Sequence, residues 1–138
     1  MATFTYETEV PVRFRDLDPM GQVHNAVVLI YVEEARARYF QEVVGERLEQ
    51  TDGALVHQEI DYTVPIELED AVTVRYRVSK IGASSLTTVF EVRTDDGIAA
   101  NGEVVHVVLD EAGETRAVPD TWRENITAFE DGSVEIVE

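Results

Sequence analysis

The stretch Asp16-Leu17-Asp18-Pro19-Met20-Gly21-Gln22-Val23-His24-Asn25-Ala26 decides how this chain is read. It places an acidic pair, a Pro, a Gly, a His and an Asn directly before the most hydrophobic run of the sequence. A buried helix needs only one capping side chain at its start. A cluster of polar and titratable groups there points to chemistry as well as capping.

Working outward, Tyr6 to Arg15 alternates loosely between apolar and charged residues and reads as a strand. From Ala26 to about Val44 the pattern turns helical. Ala26 to Val32 is apolar throughout, then Ala35, Tyr39, Phe40, Val43 and Val44 recur at three- and four-residue spacing, with Gly45 as terminator. A first half that is apolar all round is expected to be buried. After Gly53 the period becomes two. Ile60, Tyr62, Val64 and Ile66 form one alternating set, Val72, Val74, Tyr76 and Val78 the next, and Leu86, Thr88, Phe90 and Val92 a third. "IGASS" (81–85) and "DDG" (95–97) read as turns. Ile98 to Leu109 reads as a last long strand buried on both faces. Asp120 is expected to cap a short helix carrying Trp122, Ile126 and Phe129, and Ser133 to Val137 is expected to form a small terminal strand.

One strand, one long helix and four strands in successive hairpins make an α+β arrangement. The helix must be wrapped by a highly curved antiparallel sheet of five or six strands. At 138 residues a single domain is expected over 1–138, with a core of about 5–119 and a C-terminal extension over 120–138.

Composition narrows the partners. Twenty-eight acidic residues face eleven basic ones, and Lys80 is the only lysine, giving a formal net charge of −17. Nucleic acid and anionic membranes would be repelled. The acidic, Lys-poor surface resembles that of proteins from salt-in halophiles. Absence of cysteine excludes disulfides, thiolate metal sites and a Cys nucleophile. "MATFTYETEV" has neither a basic n-region nor an apolar h-region, and no apolar run reaches membrane-span length, so a cytoplasmic protein is expected. His24, His57 and His106 are scattered without H-x-x-x-H spacing, so no metal site is expected.

A loop running into a helix presents unpaired N–H groups at the positive end of the helix dipole, which suits an oxyanion. Gly21 permits close backbone approach, a carboxylate nearby can act as base or nucleophile, and Asn25 can hydrogen-bond a carbonyl or a water without titrating. From spacing alone, Asp16 and Asp18 read equally well as turn residues ahead of Pro19.

At this point the residues carry a resemblance. "FRDLDPMGQVHNAVVLIYVEEAR" resembles the motif that opens the central helix in hotdog-fold acyl-CoA thioesterases of the 4-hydroxybenzoyl-CoA thioesterase-like superfamily. "IDYTVPIELEDAVTV" is similar to that family's Y-x-x-P strand and "KIGASSLTTVFEV" to its G-x-S-S hairpin, over about Val12 to Pro119. The resemblance implies hydrolysis of an acyl-CoA thioester to an acid and CoA, with CoA as part of the substrate and no separate cofactor. It places Asp18 on the catalytic carboxylate and Asn25 beside it, and leaves Asp16 structural. Gly21, His24, Ala26 and Val27 fall at the oxyanion and substrate-binding positions, and Val28, Leu29 and Val32 along the acyl slot. Gln22 and His24 depart from the "H-V-N-N" form of the motif. Ser84 and Ser85 are implied CoA contacts; an acidic protein that binds a polyanion needs a local basic patch, and Lys80, Arg75, Arg77 and Arg93 are the obvious cofactor-binding supply. A homodimer or homotetramer is implied, with sites at the seam between chains. Acyl carrier protein is an alternative carrier.

Two other classes stay open. A non-catalytic acyl-CoA-binding module would bind the thioester intact. A hotdog hydratase or dehydratase would need a His paired with a carboxylate in an N-P-x-H setting, and here Ala26 follows Asn25.

Overall fold

The computed structural model describes residues 4–137. Its strands are β1 (Tyr6–Val10), β2 (Gly53–Tyr62), β3 (Val72–Ile81), β4 (Ser85–Thr94), β5 (Gly97–Val108) and β6 (Glu135–Ile136). Its helices are α1 (Asn25–Tyr39), extended by a π-helical turn over Phe40–Val44, and α2 (Asp120–Phe129). The strands form one sheet in the order β1-β3-β4-β5-β2, antiparallel throughout; β6 lies off this path and pairs parallel to the end of β3. One long helix, α1, held against one curved sheet is the hotdog architecture, as expected.

The pleat explains the pairing of the central strands. Val72, Val74, Tyr76 and Val78 of β3 and Leu86, Phe90 and Val92 of β4 point to α1 and are buried, while their neighbours face outward. A bulge between Val78 and Lys80 shifts the phase, so that Ile81 turns inward and Lys80 outward. Against this face α1 lays Val28, Tyr31, Val32, Ala35 and Tyr39. An aromatic cluster ties the layers together. Tyr39 meets Tyr6 at 5.4 Å, Tyr76 at 5.2 Å and Phe129 of α2 at 5.8 Å between ring centroids.

Residues 120–137 pack into the same core. Trp122, Ile126 and Val134 are buried, and burying a side chain such as Ile126 stabilises by about 2 kcal/mol. Buried Glu130 accepts the Tyr39 hydroxyl at 2.6 Å and the Val78 N–H at 3.3 Å. Burial raises the Glu130 carboxyl above its usual range, although both hydrogen bonds oppose that shift.

Several sequence expectations are corrected. β1 stops at Val10, and Phe14–Asp16 is a 3-10 turn. The strand expected to end near Pro65 stops at Tyr62. The first half of α1 is not buried all round: Asn25 and Ala26 are exposed and Ile30 is 56% exposed, because the sheet covers one side of the helix. Over Val104–Val108, β5 is buried on one face only. Val104 and Val108 point inward, Val105 and Val107 outward, as a one-layer sheet requires. Pro119 takes the cap position of α2, and Asp120 is its first helical residue.

Candidate active site

The loop before α1 is built around Asp18. Its N–H donates to the Gln22 carbonyl at 2.7 Å, and its carbonyl accepts the Gly21 N–H at 3.0 Å. Its Oδ1 accepts the N–H groups of Met20 (2.9 Å) and Gln22 (3.1 Å). Such an Asx-type turn fixes the carboxylate. Gly21 sits at φ 81°, a conformation that costs a side-chain-bearing residue energy. Oδ2 of Asp18 has no hydrogen-bond partner among the described residues, so one oxygen holds the loop and the other is uncommitted. Asp18 is partly exposed.

Asp16 is spoken for. Its Oδ2 accepts the Tyr31 hydroxyl at 2.6 Å and the Arg13 N–H at 2.9 Å, while its carbonyl accepts the His24 N–H at 2.9 Å. This pins the loop to α1. Burial and the neighbouring carboxylate both push the Tyr31 phenol above its ordinary range.

His24 is the N-cap of α1. Its Nδ1 accepts the Ala26 N–H at 3.0 Å, which puts any ring proton of the neutral imidazole on Nε2. The His24 carbonyl takes the N–H groups of Val27 (2.9 Å) and Val28 (3.3 Å). The Ala26 and Val27 amides are therefore satisfied within the chain. The Asn25 N–H has no acceptor among the described residues and is the free donor at the helix tip.

Asn25 borders a cavity of about 220 Å³ walled by Val23, Val28, Tyr62, Ile66 and Ala99. Tyr62 closes it by donating its hydroxyl to the Asn25 carbonyl at 2.9 Å. Of the expected acyl-slot residues only Val28 lines it; Val32 is buried in the core and Leu29 packs against that core. Asp18 lies outside this lining within one chain. The wall from Tyr62 to Ile66 carries the Y-x-x-P pattern, a signal visible in the sequence that by itself assigns no site role.

The expected CoA contacts lie at the other end of the sheet. The 82–85 turn adjoins Ser85, which pairs with Val107, whereas Ala100 borders the cavity at the helix tip. Seven residues of strand separate those levels, about 23 Å. Lys80 Nζ is 3.8 Å from Glu135, and the Gly82 and Ala83 carbonyls are gripped by Arg123 of α2 at 2.7 and 3.2 Å. Arg75 and Arg93 pair with Glu7 and Glu91, and Arg77 donates to the Ser133 carbonyl.

The other histidines lie elsewhere. His106 faces inward, where burial first and the Arg36 charge second lower its pKa to about 4. His57 Nε2 is 3.2 Å from Glu59 on the outer face of the sheet. With Glu103, directly opposite Glu59 in register, these side chains bring three ligand-type atoms within 4.8 Å of one another, a juxtaposition that chain spacing did not reveal.

On this hotdog scaffold the start of α1 thus brings together a carboxylate fixed by its own loop, a helix-tip amide with no acceptor among the described residues, and a cavity bordered by Asn25. The chain belongs to the thioesterase-like superfamily, whose family model matches residues 12–126. It is similar to a thioesterase from Thermus thermophilus solved in complex with coenzyme A and Zn. The TM-score is 0.87 at 42% identity, over 95% of this chain and 98% of that one. The 1,4-dihydroxy-2-naphthoyl-CoA hydrolase of Synechococcus sp. (strain CC9605) is 31% identical over 120 residues, 79% of this chain and 80% of that protein. YsmA of Bacillus subtilis (strain 168) is 30% identical over 86 residues, 62% of this chain, and the match spans 58% of YsmA.

Proposed function

We propose that the protein hydrolyses an acyl-CoA thioester to a carboxylic acid and free CoA. The observation that carries this reading is the division of labour in Asp18: Oδ1 is tied into the loop, and among the described residues neither Oδ2 nor the Asn25 N–H of the helix tip that follows has a hydrogen-bond partner.

In the reaction, Asp18 Oδ2 removes a proton from a water whose oxygen attacks the acyl carbon, or attacks that carbon itself to give, once CoA has left, an acyl-Asp18 anhydride that water then hydrolyses to the acid and the free carboxylate. The carbonyl becomes a tetrahedral oxyanion, and the Asn25 N–H stabilises it with the help of the helix dipole. The C–S bond then breaks and CoA leaves as thiolate, which takes up a proton from solvent. With Ala26 and Val27 internally bonded, oxyanion stabilisation falls to Asn25, backbone and side chain. The acyl group occupies the cavity beside Val28, Tyr62 and Ile66. The relative from Synechococcus supports an aromatic acyl group as the first to assay.

The working unit in this reading is a dimer formed along β2. This strand lies at one edge of the sheet, with Leu55 51% and Val56 58% exposed. A two-fold antiparallel pairing there covers the open edge and brings the partner's 82–85 turn to the end of the sheet where this chain's helix begins. Ser84 and Ser85 could then serve a site in the partner.

Acyl-CoA substrates incubated with a thiol reagent test the proposal. Release of free CoA by the native protein, lost in Asp18→Asn at unchanged melting temperature, supports it. Tight binding with no thiol release from any substrate would replace it with the non-catalytic binding module, for which the structural job of Asp18 Oδ1 is reason enough to retain that residue.

A further inference from the structure

A polyanionic substrate and a chain of net charge −17 repel one another unless cations are set aside for the substrate. The side chains of Arg36, Arg38, Arg47, Arg75, Arg93 and Lys80 all lie in ion pairs. Those of Arg77, Arg116 and Arg123 donate to backbone carbonyls. Two cations are left. Among the described residues Arg13 and Arg15 make no ion pair and no side-chain hydrogen bond.

Both stand in the turn that runs into the Asp18 loop, on either side of Phe14, which is 70% exposed. They line a groove of about 160 Å³ between this turn and α1, together with Pro11, Tyr31 and Ile30. The acids of that groove are occupied: Asp16 by Tyr31 and Arg13 N–H, Glu34 by Arg38. Arg38 also lines the groove, but its guanidinium is held by Thr8 Oγ1 at 2.6 Å and the Glu9 carbonyl at 2.7 Å. What remains is two free planar guanidiniums flanking a free aromatic face. Guanidiniums bind phosphate oxygens bidentately, and an exposed aromatic ring stacks a base.

We infer that Arg13, Phe14 and Arg15 form a nucleotide-binding site that takes the phosphorylated adenosine end of coenzyme A. Arg13 and Arg15 hold the phosphates and Phe14 stacks the adenine. The groove runs along α1 from Ile30 toward Arg38, and Asn25 to Glu34 spans about 14 Å of helix. A pantetheine arm laid along that length leads from the groove to the helix tip. This inference rests on the acyl-CoA reading and replaces the cations expected from the sequence (Lys80, Arg75, Arg77, Arg93) with a pair free to bind.

Adenosine 3′,5′-bisphosphate is the probe, titrated calorimetrically at low ionic strength. The native protein should bind it, with affinity falling as salt rises. Arg13→Gln/Arg15→Gln should lose at least tenfold, Phe14→Ala several-fold, and Arg47→Gln nothing. Against acyl-CoA the double variant should raise KM about tenfold and leave kcat within twofold. Acyl-pantetheine, which lacks the nucleotide, should show no change. Arg15→Gln alone, on an exposed side chain, gives the same test if the double variant is unstable. Binding of the bisphosphate by the variants as tightly as by the native protein, or no binding by any of them, overturns the site. If the bisphosphate binds and is lost in the variants while no thioester is cleaved, the hydrolytic reading falls and the site stands. If thioesters are cleaved with KM unmoved, the reverse holds.

Discussion

Asp18 and Gln22 are joined twice: the Asp18 N–H donates to the Gln22 carbonyl at 2.7 Å, and Asp18 Oδ1 accepts the Gln22 N–H at 3.1 Å. The pair closes the loop into a small hairpin, so the carboxylate is oriented before any substrate arrives. Under the proposed mechanism this preorganisation would contribute to rate acceleration.

Asp18→Asn and Asp18→Ala should therefore separate. Asn keeps an acceptor for the Met20 and Gln22 amides but has no basicity. Turnover should fall by about 10²–10⁴-fold with stability changed by under about 0.5 kcal/mol. Ala leaves both amides without that acceptor and should lose about 1–3 kcal/mol as well. Thiol-release rates and urea midpoints on the same preparations give the comparison.

His24→Ala removes the side chain that caps α1. Loss of a capping acceptor costs about 1 kcal/mol. It also frees the Ala26 N–H, adding a donor at the helix tip. His24→Asn should recover most of the stability, read from thermal melts, because Asn is a good cap in its own right.

The protein should weaken in mild acid through His106. Its folded pKa of about 4 lies below the ordinary 6.5. Between those values the unfolded chain holds a proton that the folded one does not, so stability is complete above about pH 6.5 and declines as pH falls toward 4. Allowing for partial exposure of the ring, the loss is about 1 kcal/mol. His106→Gln should flatten this part of the pH dependence of the urea midpoint, leaving the carboxylate-driven part in place.

Chelation should leave turnover unchanged. His57, Glu59 and Glu103 lie on the outer face of the sheet, whereas Asn25 and its cavity lie on the helix side. Thiol-release assays before and after dialysis against a chelator decide this; a loss restored by added zinc would tie the outer face to the reaction.

Much of this was legible in the sequence, and the failures have physical reasons. Alternation located β3 and β4 because each has one buried face and one wet one, with Val74 and Val92 against Arg75 and Glu91. The same pattern misjudged β5. Val104, Val105, Val107 and Val108 look doubly buried, yet β-branched residues suit a pleat whether or not the outer face is covered. Ile30 misled for a related reason: an apolar run fixes no direction, and only the sheet's one-sided wrap shows which residues are left outside. The phase of β2 was hidden by the bulge between Leu55 and His57, which flips His57 to the outer face. Charges were the least legible. Nothing in the order of residues reveals that the Arg75 side chain has Glu7 for a neighbour while that of Arg13 makes no ion pair among the described residues.

The two margins of the sheet differ in a way that limits polymer growth. β1 is five residues long, carries Glu7 and Glu9, and has the Glu9 carbonyl capped by Arg38; past its end, β6 occupies the same flank of β3. β2 at the opposite margin is ten residues long and bears Leu55 and Val56 in the open. A copy that adds strand to strand has one receptive margin to use, and using it leaves only blunted ones. Were copies to pair along β2 as proposed, the margins left over would be these blunted ones, and strand addition would stop at two chains.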